Sequence, residues 1–430
     1  MTLRTGRWLM IVVPASLYFF SYFHRVAPSV VAADLMRAFE ITAASLAMLA
    51  AIYSYVFVAM ALVAGSLADT LGPRWTMALG GVAMGLGAAL FGLAPGFGTA
   101  LAGRLLVSLG ASVMLIAWLA LIAAWFRPDE FATYSGLTQS IGNLGALVAS
   151  SPLALLVEAA GWRQTFVLIG GVTLLLAIVA VLVVRDRPEH VGLPPVVAGC
   201  QPPPAGLDEM LSGVPALVAN PRTWPPVLAA AGMYATLITF QGLWGVPYLT
   251  QVYGLSRVQA ANDLALLAVG FAAGSPLVGW LSDRWLRRRR LPMTVFASGY
   301  LLCWLLLVIP SERPLPEPWL APFFFTMGLT GSALALVWTC VREVNDPSRV
   351  GIAVGFCNMP IFLGFALMQW LTGIVLDANW DGLAVAGARV YDADAYRAAF
   401  LVCAGTAAAA LAASLFVTET RGRNVWSSAR

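Results

Sequence analysis

Runs of about 20 apolar residues, the length of helix that crosses roughly 30 Å of hydrocarbon, recur along the chain between short polar breaks. Twelve such runs cover 9–32, 44–67, 75–94, 98–125, 131–157, 164–184, 224–250, 259–281, 291–310, 319–340, 350–375 and 398–417. They lack the period of two that marks a membrane barrel strand. The pattern predicts an all-α integral membrane protein with twelve transmembrane helices. Between the sixth and seventh runs lies "RDRPEHVGLPPVVAGCQPPPAGLDEMLSGVPALVANPR", polar and rich in Pro and Gly, which reads as a linker. The expected organisation is a six-helix bundle over 1–184, a cytoplasmic linker over 185–222 and a second six-helix bundle over 223–430.

Composition agrees with a bilayer as the solvent. Hydrophobic residues make up 60% of the 430, charged residues 11%, and mean hydropathy is +0.81; soluble domains carry about 25% charge. All 25 basic residues are Arg. Their positions explain the net charge of +4 better than a nucleic-acid partner does, and none is expected. With the N-terminus inside, 17 Arg fall in inner segments and 6 in outer ones, leaving Arg25 and Arg104 within helices. The positive-inside rule then puts both termini in the cytoplasm and the chain in the inner (plasma) membrane. Arg4 and Arg7 before the first run resemble a signal peptide, but that run is too long and no small-residue cleavage site follows, so it is expected to remain as the first span. The five Cys show no CxxC spacing and no His partner, which argues against a metal or disulfide framework.

The halves echo each other. "GSLADTLGPRW" (65–75) follows the second run and "GWLSDRWLRRRR" (279–290) follows the eighth, each placing a Gly, then Asp69 or Asp283, then Arg74 or Arg284 at a cytoplasmic turn. Paired halves are a transporter architecture. Within the first run stands "YFHRVAPSVVAADL" (22–35). An Arg in the bilayer centre costs about 2.5–3.5 kcal/mol even on the most lenient scale, so Arg25 marks a functional position. Counted at 1.5 Å per residue, Arg25 and Arg104 both fall about 9–11 Å below the outer surface. His24 is the only His in a membrane run; His190 lies in the linker. A free imidazole titrates near neutrality and suits proton uptake and release.

These motifs resemble the major facilitator superfamily over essentially the whole chain. "GSLADTLGPR" is similar to its loop signature G-x-L-a-D-r-x-G-r-[RK], "GRLLVSLGAS" (103–112) to its R-x-x-x-G-x-G pattern, and "GNLGALVASSPLALLVEAAGWR" (142–163) to its Gly- and Pro-bearing fifth helix ending in GWR. "YFHRVAPSVVAADL" resembles the first helix of the anion:cation symporters, and the organophosphate antiporters also carry an Arg there. The resemblance implies the major facilitator fold, Arg25 as an anion ligand, and gating by Asp69, Arg74, Asp283 and Arg284. Two departures stand out: His24 replaces the family's Asp, and the acidic residue of the symporters' fourth helix is absent, with Ala111 and Ser112 in its place. The seventh helix also lacks the second Arg of the phosphate-ester antiporters.

The expected function is a secondary active transporter importing a small organic anion, a carboxylate, with protons. Substrate binding is assigned to Arg25, Tyr22, Tyr234, Gln241 and Trp244, the last two on a seventh helix interrupted by Gly242, Gly245 and Pro247, and proton coupling to His24 and Arg104. Other polar side chains on cavity helices (Ser108, Ser112, Gln139, Asn143, Thr239, Thr330, Ser332, Asn358) read as packing first; Trp118 and Trp338 offer flat apolar walls. Without Lys a G-x-x-x-x-G-K-[ST] loop cannot occur, and no nucleophile–base pair or zinc spacing appears, so neither enzyme nor cofactor nor metal is expected. Partners are the substrate, protons and membrane lipid, and a monomer is expected. The alternatives are an efflux antiporter for amphiphilic or drug-like compounds and a non-transporting membrane sensor.

Overall fold

The structure is a computed structural model that describes residues 3–61, 63–126, 128–194, 214–311, 314–346, 350–385 and 387–426. Among the described residues, twelve helices are long and apolar enough to cross a membrane. They are labelled here α1 (Arg7–Val26), α2 (Ala43–Met60), α3 (Pro73–Gly92), α4 (Phe97–Trp125), α5 (Ile141–Ala160), α6 (Trp162–Val183), α7 (Trp224–Val252), α8 (Arg257–Trp285), α9 (Arg290–Leu307), α10 (Glu317–Val344), α11 (Gly355–Ala378) and α12 (Ala393–Ser414). A two-stranded hairpin, β1 (Ala384–Val385) with β2 (Ala388–Arg389), joins α11 to α12.

Proline interrupts two of the expected runs. The run 9–32 ends as helix at Val26, and a separate helix, Pro28–Phe39, follows. Pro28 has no N–H and disfavours a helical residue before it. The expected fifth run breaks at Ser150, ahead of Pro152, into Pro128–Val148 and Ser151–Ala160. The seventh helix, expected to be broken, instead stays continuous and widens to a π-helical step at Phe240–Trp244. Such steps occur mostly as single turns and often at functional sites.

Packing divides the chain into two compact units. The first comprises Met1–Ala27 and Ala59–Asp208, the second Pro28–Val58 and Glu209–Arg430. In the first, α3 lies between α4 and α6 on glycine faces. A Cβ on Gly103 of α4 would stand 2.8 Å from the Gly87 carbonyl oxygen of α3, so only glycine permits this approach. Close backbone contact of this kind is the means by which helices associate in lipid, where apolar burial alone gives no advantage.

In the second unit, α7 packs on α11 and α12, and α8 on α10. The rings of Phe240, Trp304, Phe324 and Phe400 form its centre. Asp377 at the end of α11 accepts the backbone N–H groups of Ala43 (3.0 Å) and Ala44 (2.7 Å), as well as the Tyr391 hydroxyl (2.7 Å) and Arg389 (3.1 Å). A carboxylate thus caps the positive start of α2. Burial first, then this hydrogen bond to Asp377, pushes the Tyr391 hydroxyl above its usual pKa. An ion pair from Arg257 to Asp34 (2.7 Å) ties helix Pro28–Phe39 to the start of α8.

Candidate functional site

The proline that ends α1 also arranges the cations of the first unit. In an unbroken helix the His24 carbonyl would accept the N–H of residue 28, which Pro28 lacks. Arg104 fills the vacancy, its Nη1 donating to the His24 carbonyl at 2.6 Å. Arg25, one residue on, lays its guanidinium 4.1 Å from the centre of the Tyr22 ring. Both arginines are buried, at 5% and 4% exposure. The Tyr22 ring meets Tyr18 at 5.1 Å, and Tyr18 meets Trp118 of α4 at 5.5 Å. Tyr18, Tyr22 and Arg25 therefore form a stripe at helical spacing, i, i+4 and i+7, with cation–π attraction at one end. Gly142 of α5 leaves room for the Tyr22 ring, since a Cβ there would stand 3.0 Å from it.

His24 is buried with its ring 5.6 Å from Phe23 and 6.3 Å from Phe166. Its Nε2 and the Trp118 Nε1 have no hydrogen-bond partner among the described residues. Buried polar atoms left so are costly, by about 1–3 kcal/mol each, and rare enough to mark a site. By contrast, the hydroxyls of Ser108, Ser112, Thr330 and Ser332 bond to carbonyls of their own helices and are spent on structure. Tyr22, His24, Arg25 and Arg104 are thus brought together in the first unit. The Gln139 side chain lies outside the described residues.

In the second unit, Tyr234, Gln241 and Trp244 share α7. Tyr234 rests 6.2 Å from the Phe271 ring. The Trp244 indole donates to Thr372 of α11 at 2.9 Å, so it offers a ring face and no free N–H. Gln241, inside the π-helical step, is buried and its Nε2 has no hydrogen-bond partner among the described residues. The same holds for the Thr239 hydroxyl and for the Oε1 of Gln369 on α11. The Gln369 position was not among the sequence-derived candidates; its signal is an amide in the otherwise apolar "FALMQWL".

At the turns, the Asp69 side chain lies outside the described residues. Arg74 donates to the Val181 carbonyl at 2.6 and 3.0 Å, closing the end of α6, while its backbone N–H bonds to Asp186 at 2.7 Å. Asp283 pairs with Arg289, and Arg284 is exposed. Arg289 is the buried arginine of "WLRRRR". Glu343 of α10 takes it bidentately, at 3.0 and 2.7 Å, and Ser282 accepts a further bond at 2.7 Å. Burial alone would lower the Arg289 pKa, but the bonds from Glu343 and Asp283 outweigh it and hold it above its usual value. Thr420 bonds to Glu343 from the chain beyond α12. Among the described residues no cluster of three or more His, Cys, Asp or Glu is placed to hold a metal ion.

A chain of twelve apolar helices, with buried cations and orphaned polar atoms inside them, is a polytopic membrane carrier in class. The Major Facilitator Superfamily model matches residues 15–343 and 246–429, and the chain belongs to that family. It is a secondary transporter rather than an enzyme. The membrane sensor protein UhpC of Salmonella typhimurium is 26% identical, with 85% of this chain and 84% of that one aligned. The probable sulfoacetate transporter SauU of Cupriavidus necator is 23% identical, over 86% of each. A probable hexose phosphate transport protein of Chlamydia pneumoniae is 23% identical over 86% and 85%. Among solved structures, a bacterial homologue of the human lysosomal transporter Spinster, inward-facing and occupied, superposes with a TM-score of 0.77 at 19% identity, covering 96% of each chain. A D-xylose–proton symporter gives 0.72 at 13%, covering 99% of this chain and 100% of that one.

Proposed function

We propose that the protein imports a small organic anion, a carboxylate, with protons, by alternating access of the bundles 1–184 and 223–430 about the linker 185–222. The observation that carries this reading is the pair of buried guanidiniums. Helices α1, α3, α4 and α6 contain no Asp or Glu, and of their arginines Arg25 and Arg104 are the buried ones. Two buried positive charges, in helices that carry no carboxylate, favour an anion. Arg25 is the ligand, since a planar fork on an aromatic face matches a carboxylate. Arg104 holds the end of α1 and positions it. His24 carries the proton: an imidazolium beside a bound carboxylate lets charge enter in balance. Gln241 and Tyr234 contact the polar body of the substrate and Trp244 its apolar face. Asp69, Arg74, Asp283 and Arg284 act at the cytoplasmic turns as gates.

Hexose phosphate and sulfoacetate, after which two of the relatives are named, are both anions, which supports the substrate class. The positive-inside count supports an inner-membrane protein with both termini in the cytoplasm, and one copy suffices for the site proposed. The likeness to UhpC favours a second reading, a sensor that binds the same class of anion without moving it. Counterflow into proteoliposomes preloaded with sulfoacetate, a hexose phosphate or a simple monocarboxylate decides between them. Saturable, Arg25-dependent counterflow of a carboxylate supports the carrier. A thermal shift with the same compounds and no counterflow supports the sensor. Counterflow of uncharged or cationic amphiphiles instead would make it an efflux antiporter.

A further inference from the structure

The four consecutive arginines between α8 and α9 do not behave alike. Arg287 adopts a left-handed backbone, φ +50°, which L side chains rarely take. Ser282 fixes the next residue by donating to the Arg288 carbonyl at 2.8 Å. The turn drives Arg289 inward onto Glu343, Asp283 and Ser282 and leaves Arg287, Arg288 and Arg290 exposed, with Arg284 beside them. A second segment is drawn to the same place. The Glu419 carboxylate accepts the backbone N–H groups of Arg289 (2.9 Å), Arg290 (3.4 Å) and Arg421 (3.3 Å). One acid therefore stitches the chain after α12 to the start of α9 and brings exposed Arg421 and Arg423 alongside Arg290.

The acids here are already engaged. Buried Glu343 and half-buried Glu419 are taken up by Arg289 and backbone donors, and exposed Asp283 also binds Arg289. Among the described residues, none of the six exposed arginines makes an ion pair. Beside them the Trp280 and Trp285 rings stack at 6.2 Å, 51% and 70% exposed, at the very end of a membrane span. Indoles in that position lie at the headgroup level. Leu291 and Val295, exposed on α9, continue the surface toward the acyl region.

We propose that the α8–α9 turn and the segment 419–423 form a binding surface for anionic phospholipid, with the arginines on the phosphodiester headgroups and the paired indoles against the glycerol and upper acyl chains. Charge excess and position at the end of two spans select a lipid over a soluble anion. The test uses the full chain purified in detergent, with phosphatidylglycerol or phosphatidylcholine added, and reads bound lipids by native mass spectrometry. Phosphatidylglycerol should bind at least about tenfold more tightly than phosphatidylcholine, the scale set by several arginines at an anionic surface. The triple variant Arg287→Gln/Arg288→Gln/Arg290→Gln and the double variant Arg421→Gln/Arg423→Gln, all at exposed positions, should each lose most of that preference. Inorganic phosphate in large excess should not displace the lipid. Equal binding of the two lipids, full preference in both variants, or displacement by inorganic phosphate would each overturn the assignment.

Discussion

Each unit buries arginine, and in opposite ways. In the second unit Arg289 meets two carboxylates, a hydroxyl and a bidentate geometry at the end of the spans. In the first, Arg104 donates to a backbone carbonyl and Arg25 lies on a tyrosine ring, in helices that contain no carboxylate of their own. A guanidinium closed by acids is a structural clasp with little reason to accept a further anion. The carbonyl that Arg104 meets and the ring that Arg25 meets carry no net charge, which is the arrangement the proposed anion site calls for. The contrast bears on the proposed site without reference to any relative, and it is open to direct attack.

The largest effect is expected at the clasp. Glu343→Ala leaves Arg289 buried with half its partners removed, and truncating one member of a buried pair costs about 3–5 kcal/mol. Thermal unfolding of the purified protein should show this as a large loss of stability before any substrate is added. A stability within about 1 kcal/mol of wild type, the range of an exposed pair, would mean Arg289 is solvated and the contrast is false.

Next comes Arg25→Lys. The ammonium keeps the charge but loses the fork and the stacking plane. Charge-assisted hydrogen bonds are worth about 1.5–3 kcal/mol, so transport of the true substrate should fall roughly ten- to a hundredfold. Unfolding should barely move. Near-normal uptake would remove Arg25 as the anion ligand, and an equal fall in stability would make it a second clasp.

His24→Gln should affect only one assay. Proton-driven accumulation should be lost while counterflow remains, because counterflow reorients the loaded site without net proton movement. Full accumulation by this variant under an imposed proton gradient would reject His24 as the carrier.

What the sequence makes legible follows from range. The twelve spans show because length and apolarity are local properties, and nine of them lie within five residues of the expected runs at both ends. The breaks at Ala27 and Ser150 were written in Pro28 and Pro152 but hidden by the apolar residues around them, since hydropathy does not register a missing N–H. Arg25, His24 and Arg104 stand out because charge in an apolar run is costly wherever it folds. Which arginine of "WLRRRR" turns inward does not show, because the π-helical end of α8 and Glu343 from α10 decide it together. Glu343 reads as a loop acid and Gln369 as one polar residue in a long run; only packing reveals that the first is saturated and the second is not. Likewise the linker 185–222 marks a covalent boundary, whereas the docking of 28–58 with residues of the second unit is a matter of tertiary contact.

The smallest expected effect tests whether Arg104 belongs with the clasp or with the site. If its work is to satisfy the carbonyl that Pro28 orphans, restoring an N–H at position 28 makes it partly redundant. Arg104→Gln alone should destabilise the protein, since it strands a buried acceptor, at about 1–3 kcal/mol. Pro28→Ala supplies the helical donor for the His24 carbonyl. The double variant Pro28→Ala/Arg104→Gln should then be more stable than the sum of the single changes allows, by about 0.5–1.5 kcal/mol, the net worth of one hydrogen bond. Strict additivity would show that Arg104 does not act through that carbonyl. If the double variant recovers stability and still fails to couple uptake to protons, Arg104 is needed for its charge as well as for its hydrogen bond. The first unit would then use buried Arg25 and Arg104 in the transport site, where the second uses buried Arg289 to hold three segments together.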